Sequence, residues 1–371
     1  MSAGATMGAG GFFPSQTIGW YVGKMFLLRS FVILAMLVLV LQTLDLLGES
    51  GKILAVPGNS DADVWHYSAL RLPQIISRFL PFSVLLGTLV TLVTLNQNSE
   101  IISMKSGGLS AHQILAPLIV ASLFVAGFSF IFNERVVTRS TAALSAWQKA
   151  EYARVPIDSG VHSNVWVRSD DALIHATRVR GRGSLATLEG VDIFERTDTM
   201  ITSIVRAGTA TYGADGWQLT HARRFDVRSG RVEQLGTIVA GRGVPPDRFT
   251  LANVKGDSLD FMALRSAITE LEAAGRPTQA LKAALWHKIS GPLSAVLMPL
   301  LGAVAGFGLA RSGQLLIRAI IGMGLGFAYF VADNFGLSMG NLGAYPPLLA
   351  AWGPFALFLL IGELVLIRSE E

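Results

Sequence analysis

Cysteine is absent from the 371 residues, which excludes disulfide staples, thiolate metal sites and cysteine nucleophiles together. Charge is scarce. Only 15% of residues are charged against 51% hydrophobic, too few to cover a soluble globule of this length, so the composition places the chain in a membrane. The net charge of +4 comes from basic residues scattered along the chain, with no basic block interleaved with aromatics, so no nucleic-acid partner is expected. A phosphate loop of the GxxxxGK[ST] form is missing. The nearest strings, "GWYVGKM" and "GESGKI", fail in spacing and lack the hydroxyl that would hold Mg2+, so any ATP must be bound by another chain. There is no HExxH and the six histidines lack metal-ligand spacing, so neither a metal nor a cofactor is expected in this chain.

What the sequence has is long apolar runs. A membrane-crossing helix takes roughly 20 apolar residues. Six stretches qualify, in two groups of three: Met25 to Leu47, Pro73 to Leu95, Ile114 to Phe132, Leu285 to Leu309, Leu315 to Phe335 and Pro347 to Ile367. The first has no small-residue cleavage signature behind it and reads as a retained anchor. The fold class is therefore an α-helical polytopic membrane protein, with residues 1–24 ahead of a first group at 25–133 and a second at 281–371.

Residues 134–280 differ in composition. Their 19 Lys and Arg balance 17 Asp and Glu, which marks a separate solvated domain. Alternating runs such as "SNVWVR", "DALIHATRVR", "GVDIFER" and "GWQLTHARRFDV" are separated by "SDD", "GADG" and "RSGR", the turn chemistry of antiparallel β structure. The spacing predicts an all-β, jelly-roll-like domain, with Val165, Val167, Ile193 and Phe194 as candidate inward residues. A helix is expected near 258–275, capped by Ser258 and ended by Gly275.

An even number of spans puts both termini on one side. The short-loop basic residues Lys24, Arg29, Lys105, Arg311, Arg318 and Arg368 outnumber Lys52, Arg71 and Arg78 opposite, so the termini are expected to be cytoplasmic and the β domain periplasmic, in a bacterial inner membrane. The cytoplasmic loop "NQNSEIISMKSGGLSAH" predicts a short helix at 98–107, with Glu100 in its first turn and Gly107 and Gly108 ending it. Ser110 and Gln113 then have capping-box spacing for the third span. Ile101, Met104 and Lys105 share one side of this helix, which fits either an interfacial turn in the lipid headgroups or a coupling helix seated on a cytoplasmic motor.

Charges inside the spans, Asp45, Asp333 and Glu363, lie near span ends; Asp333 is assigned a structural or gating role, with a proton relay as the alternative. Pro292, like Pro117 and Pro299, is expected to kink its helix, either as structure alone or as an aid to gating. Lys52, Arg71, Arg78, Arg135 and Arg139 fall near the outer headgroup level, as lipid-phosphate contacts or as ordinary headgroup anchors. "GLSMG" at Gly336 to Gly340 fits the GxSxG pattern of serine hydrolases, with His66 and His287 near the outer face; the pattern requires a strand before Ser338, where a span is expected.

"NSEIISMKSGG" in the first cytoplasmic loop, "YVGK" at Tyr21 to Lys24, "WHKISGPLSAVLM" at Trp286 to Met298, "GFAYFVADNFG" at Gly326 to Gly336 and "YPPLLAAWGP" at Tyr345 to Pro354 together resemble the lipopolysaccharide export permease family, LptF and LptG, nearer the LptG branch. The resemblance covers nearly the whole chain, the β domain matching in layout more than in letters. It implies a non-catalytic half-transporter paired with a sibling permease (LptF), driven by a cytoplasmic ATPase dimer (LptB) that binds ATP and Mg2+. It further implies passing lipopolysaccharide to periplasmic jelly-roll partners (LptC and LptA). Glu100 would engage the ATPase. A mechanotransmitting permease that moves no lipid, and a membrane serine hydrolase acting through Ser338, are the other readings.

Overall fold

The computed structural model describes residues 15–153, 162–169, 172–181, 186–197, 200–213, 216–241, 243–246, 249, 256–273, 276–306 and 315–368. These divide into two compact units, a helical one and a β one.

The helical unit begins with α1 (Gln16–Leu54), α2 (Asp61–Gln97), the short α3 (Glu100–Ser106) and α4 (Ala111–Phe132). A π-helical turn, Asn133–Val137, joins α4 to α5 (Thr138–Lys149) without a break. After the strands come α6 (Phe261–Ala273), of which residues up to Arg265 belong to the helical unit and those from Ser266 to the β unit, and then α7 (Gln279–Gly306), α8 (Leu315–Asn341) and α9 (Pro347–Arg368) of the helical unit. Five described helical stretches are long and apolar enough to cross a membrane: Gln16–Leu54, Asp61–Gln97, Ala111–Lys149, Ala319–Asn341 and Pro347–Arg368. The fourth expected span falls on α7, which packs against α2, α4, α8 and α9 at the centre of the bundle; its last expected residues, 307–309, lie outside the described ones.

Hydropathy located the apolar middles of these helices and missed their polar ends. At 1.5 Å per residue α1 is about 58 Å long, nearly twice a hydrocarbon core of roughly 30 Å. The third helix likewise runs through the π turn to Lys149, so residues 134–149 are helical and the first described strand begins at His162. The projecting ends of α1, α2 and α5 close over a small core of their own, Ile53, Tyr67, Leu144 and Tyr152, with Trp147 packed against it.

Helix crossings are tight because small residues sit at them. A Cβ added to Gly87 of α2 would lie 2.9 Å from the Ser30 Cα of α1, and one on Gly326 of α8 would lie 2.1 Å from Leu85 Cδ2. In lipid, where apolar burial gives no drive, such close approach is what holds helices together.

Among the described residues, the β unit is one antiparallel sheet whose strands follow chain order: β1 (His162–Arg168), β2 (Ala172–Arg180), β3 (Thr187–Thr197), β4 (Met200–Gly213), β5 (Gly216–Asp226) and β6 (Val232–Ala240). The all-β domain is present as expected, its described strands linked by consecutive hairpins around one buried core. Strand pairing is interrupted where Thr177, Gly190, Gly208 and His221 fall opposite one another, and two of these adopt left-handed backbone, Gly190 at φ +62 and His221 at φ 55. At that row the buried residues step by three instead of two: Ala176 to Val179, Leu188 to Val191, Ala207 to Ala210 and Leu219 to Ala222. A three-residue step keeps the same face inward across a bend, so a single sheet wraps one core. Trp217 fills that core, donating from Nε1 to the Val244 carbonyl at 2.9 Å.

Val165, Val167 and Ile193 are buried as anticipated. Phe194, their neighbour at odd parity, instead stacks on Trp166 on the opposite face, as alternation along a strand requires. Nor does Ser258 cap α6. It ends a 3-10 turn, and Asp260 caps the helix, accepting from the Ala263 amide at 2.7 Å. Gly275 lies outside the described residues.

Replacing Gly190 by Ala is expected to destabilise the β unit by about 1–3 kcal/mol, since a side chain is disfavoured in left-handed backbone and its Cβ would meet Thr177 Oγ1 at 2.6 Å. Temperature-dependent limited proteolysis between β1 and β6 checks this.

Candidate functional site: a charged cavity in the helical unit

Polar contacts in the helical unit gather at two levels. At one end, where α1, α3 and α4 begin and α9 finishes, the Tyr21 hydroxyl donates to Glu100 Oε1 at 3.3 Å, and His112 Nε2 pairs with Glu363 Oε2 at 3.3 Å. This is the level of α3. The Ser110–Gln113 capping box starts α4 as expected, with both bonds present at 3.0 and 3.2 Å. Gly108, at φ +88, turns the chain out of α3, while Ser99 stands at the helix start in left-handed backbone without a side-chain cap.

Two of the four residues assigned to coupling turn inward. Ile101 is buried in the bundle core and Met104 packs against that core. Their three-residue spacing is the anchor of the helix. The opposite face, Ile102 with Ser103 and Ser106, is the exposed one. Glu100 and Lys105 are half-exposed at its flanks.

At the other level lies a cavity of about 580 Å³, lined by α1, α2, the end of α4, α5, α7 and α8. Its apolar wall includes Leu41, Ile75, Phe79, Phe82, Met298, Phe330 and Leu337. Tyr67, Arg71, Gln74 and Arg78 recur along α2 at spacings of four, three and four residues, which puts one polar stripe on a single helix face. Arg71 reaches across to α1, where Nη2 donates to Asp45 Oδ1 at 2.9 Å and Nε to Oδ2 at 3.2 Å. The Tyr67 hydroxyl donates to the same carboxylate at 2.7 Å.

Two further pairs lock α7. His287 Nε2 meets Asp333 Oδ2 of α8 at 3.0 Å, and Lys288 Nζ meets Glu134 Oε1 of the π turn at 2.8 Å. Glu134 also accepts from the Phe261 amide. Pro292 lines the cavity one turn beyond His287, inside an unbroken helix. Asp333 thus bridges α8 to α7 through His287, and its Oδ1 is buried without a hydrogen-bond partner among the described residues.

The five basic residues assigned to phosphate are not brought together at the cavity, where only Arg71 and Arg78 lie. Lys52 pairs with Glu49 at 2.8 Å and is well exposed, and Arg71 is held by Asp45. Arg78, Arg135 and Arg139 are exposed and form no ion pair among the described residues; of these only Arg78 lines the cavity. Ser338 sits inside α8, its hydroxyl donating to the Asn334 carbonyl at 2.7 Å, with no strand before it. The GxSxG match is therefore a helical coincidence. Sequence reasoning missed Glu134, Lys288 and Tyr67. The signal for Tyr67 was the α2 stripe, while nothing local announces Glu134, whose partner is 154 residues away.

Removing one member of the Lys288–Glu134 pair, both nearly buried, leaves an uncompensated charge. Lys288→Met is expected to destabilise by about 3–5 kcal/mol, and Lys288→Met with Glu134→Gln by less; melting of the purified protein distinguishes them.

Similarity to known proteins agrees with this architecture. Residues 20–368 match the family described as lipopolysaccharide export system permease LptF/LptG. The lipopolysaccharide export system permease protein LptG of Escherichia coli (strain K12) is 24% identical over 368 residues, covering 96% of this chain and 99% of the relative. The Haemophilus influenzae protein of the same name is 23% identical over the same length, with the same coverage. The chain is a multi-pass membrane protein that belongs to the LptF/LptG family of lipopolysaccharide export permeases, on its LptG side.

Proposed function

We propose that this chain is one half of an ATP-driven transporter that extracts lipopolysaccharide from the inner membrane and hands it to a periplasmic bridge. The observation that carries the reading is the cavity: an apolar wall facing Arg78, the cation beside it that has no ion pair among the described residues. Acyl chains suit the wall and an anionic sugar head suits the guanidinium, whose planar donors match phosphate oxygens. A sibling permease (LptF) would close the open side. Apolar side chains exposed along α1, such as Phe31, Met36 and Leu39, and along α8, such as Phe327 and Phe335, suit that partner and lipid.

Motive force would come from a cytoplasmic ATPase dimer (LptB), which supplies ATP and Mg2+. In this reading α3 is the contact. Ile101 and Met104 fasten it to the core cluster that α2, α4 and α7 share, so a push on its exposed face reaches the helices around the cavity. Glu100 has carboxylate capacity beyond its 3.3 Å bonds from Tyr21 and Asn98, enough to accept a cationic donor from the motor. The β unit would lie in the periplasm and receive the lipid, with LptC and LptA extending the path.

Glu100→Ala is expected to weaken capture of the ATPase dimer roughly ten- to hundredfold, the loss of one hydrogen bond to a charged group, and to abolish ATP-dependent lipid release. Wild-type capture and release in that variant would remove the coupling role. ATP turnover by the assembled complex with no lipid extracted would favour a mechanotransmitting permease instead.

A further inference from the structure

Around the cavity, three cationic or cation-forming side chains are already engaged: Arg71 by Asp45, Lys288 by Glu134 and His287 by Asp333. The first of these pairs differs from the others. Arg71 presents its Nε and Nη2 edge to the carboxylate at 2.9 to 3.2 Å, the same fork that arginine offers to phosphate. Gln74 Oε1 holds Nη1 at 2.8 Å, and Tyr67 holds Asp45 at 2.7 Å, so both partners are fixed in place. Yet the pair is not sealed in a core. Arg71 and Asp45 both line the cavity and keep 31% and 21% of their side-chain surface exposed.

We infer that Asp45 is a specificity-determining residue: its carboxylate occupies the Arg71 fork in place of an anionic group of the lipid head. This rests on the reading of the cavity as a lipid carrier. A second phosphate brought to Arg71 would lie against the Asp45 carboxylate, and like charges at that distance repel. With Arg71 neutralised and Arg78 without an ion pair among the described residues, this half of the carrier is set for a head with one anionic group fewer than two unpaired arginines would take. Asp45 is carried on α1 and Arg71 on α2, so the preference is built into a helix pair, without any loop.

The test compares monophosphoryl and bisphosphoryl lipopolysaccharide binding to the detergent-purified complex of this chain with its sibling permease and ATPase. The wild type is expected to favour the monophosphoryl lipid. Asp45→Asn, which keeps shape and removes charge, is expected to shift the ratio of dissociation constants roughly tenfold toward the bisphosphoryl lipid, the scale of one charged hydrogen-bonded contact. Adding Arg71→Gln to that variant should cancel the shift. Should Asp45→Asn fail to assemble, Tyr67→Phe carries the test, since it loosens Asp45 and should move the ratio the same way by less. An unchanged ratio with both lipids bound overturns the assignment and leaves the carrier reading intact. Failure of the wild type to bind either lipid overturns the carrier reading, and this assignment with it.

Discussion

A charged side chain half-buried among helices is costly unless an opposite charge meets it, and the end of the helical unit that holds the cavity is arranged around that constraint. Asp45 with Arg71, His287 with Asp333, and Lys288 with Glu134 each join two different helical elements. Helix α7 contributes to two of the three, which ties it to α8 on one side and to the π turn on the other. These pairs do more than neutralise charge. They keep α1, α2, α7 and α8 around a space that close packing would otherwise fill, and they leave Arg78 beside it. The cavity and its chemistry follow from the same pairing.

Much of this architecture could be read from composition and period. Long apolar runs located every crossing helix, alternation located the β insertion, and the Ser110–Gln113 spacing located the start of α4. What escaped had a physical reason in each case. Hydropathy responds to lipid-facing residues, so the polar extensions of α1, α2 and α5, stabilised by Tyr67, Leu144 and Tyr152, carried no signal. The π turn at Asn133–Val137 let a helix continue where a rise in charge suggested a domain boundary. The bend across the sheet was marked only by Gly190 and Gly208, and its other members, Thr177 and His221, are residues that strands accept anywhere.

The site was less legible than the fold. Arg71 and Arg78 look equivalent in sequence, seven residues apart on one face, but only the structure shows that Asp45 holds one of them. Ile101 and Met104 illustrate the same difficulty on α3: their shared face was clear from spacing, whereas its direction, inward to the core, was not. That direction strengthens the mechanical reading. In the proposed coupling role, a seven-residue helix fixed by a buried isoleucine would transmit displacement, while one merely resting on headgroups would slide.

In the proposed function, lipopolysaccharide enters the cavity walled by α2 and α8 and leaves it when ATP is consumed. A photo-reactive amino acid placed at Phe82, which lines that cavity, tests this most directly against one placed at Leu360, on the exposed face of α9. A cross-link to lipopolysaccharide from position 82 that fades on ATP turnover is expected, and none above background from position 360. Cross-links from position 82 to ordinary phospholipid alone, or equal labelling from both positions, would contradict it.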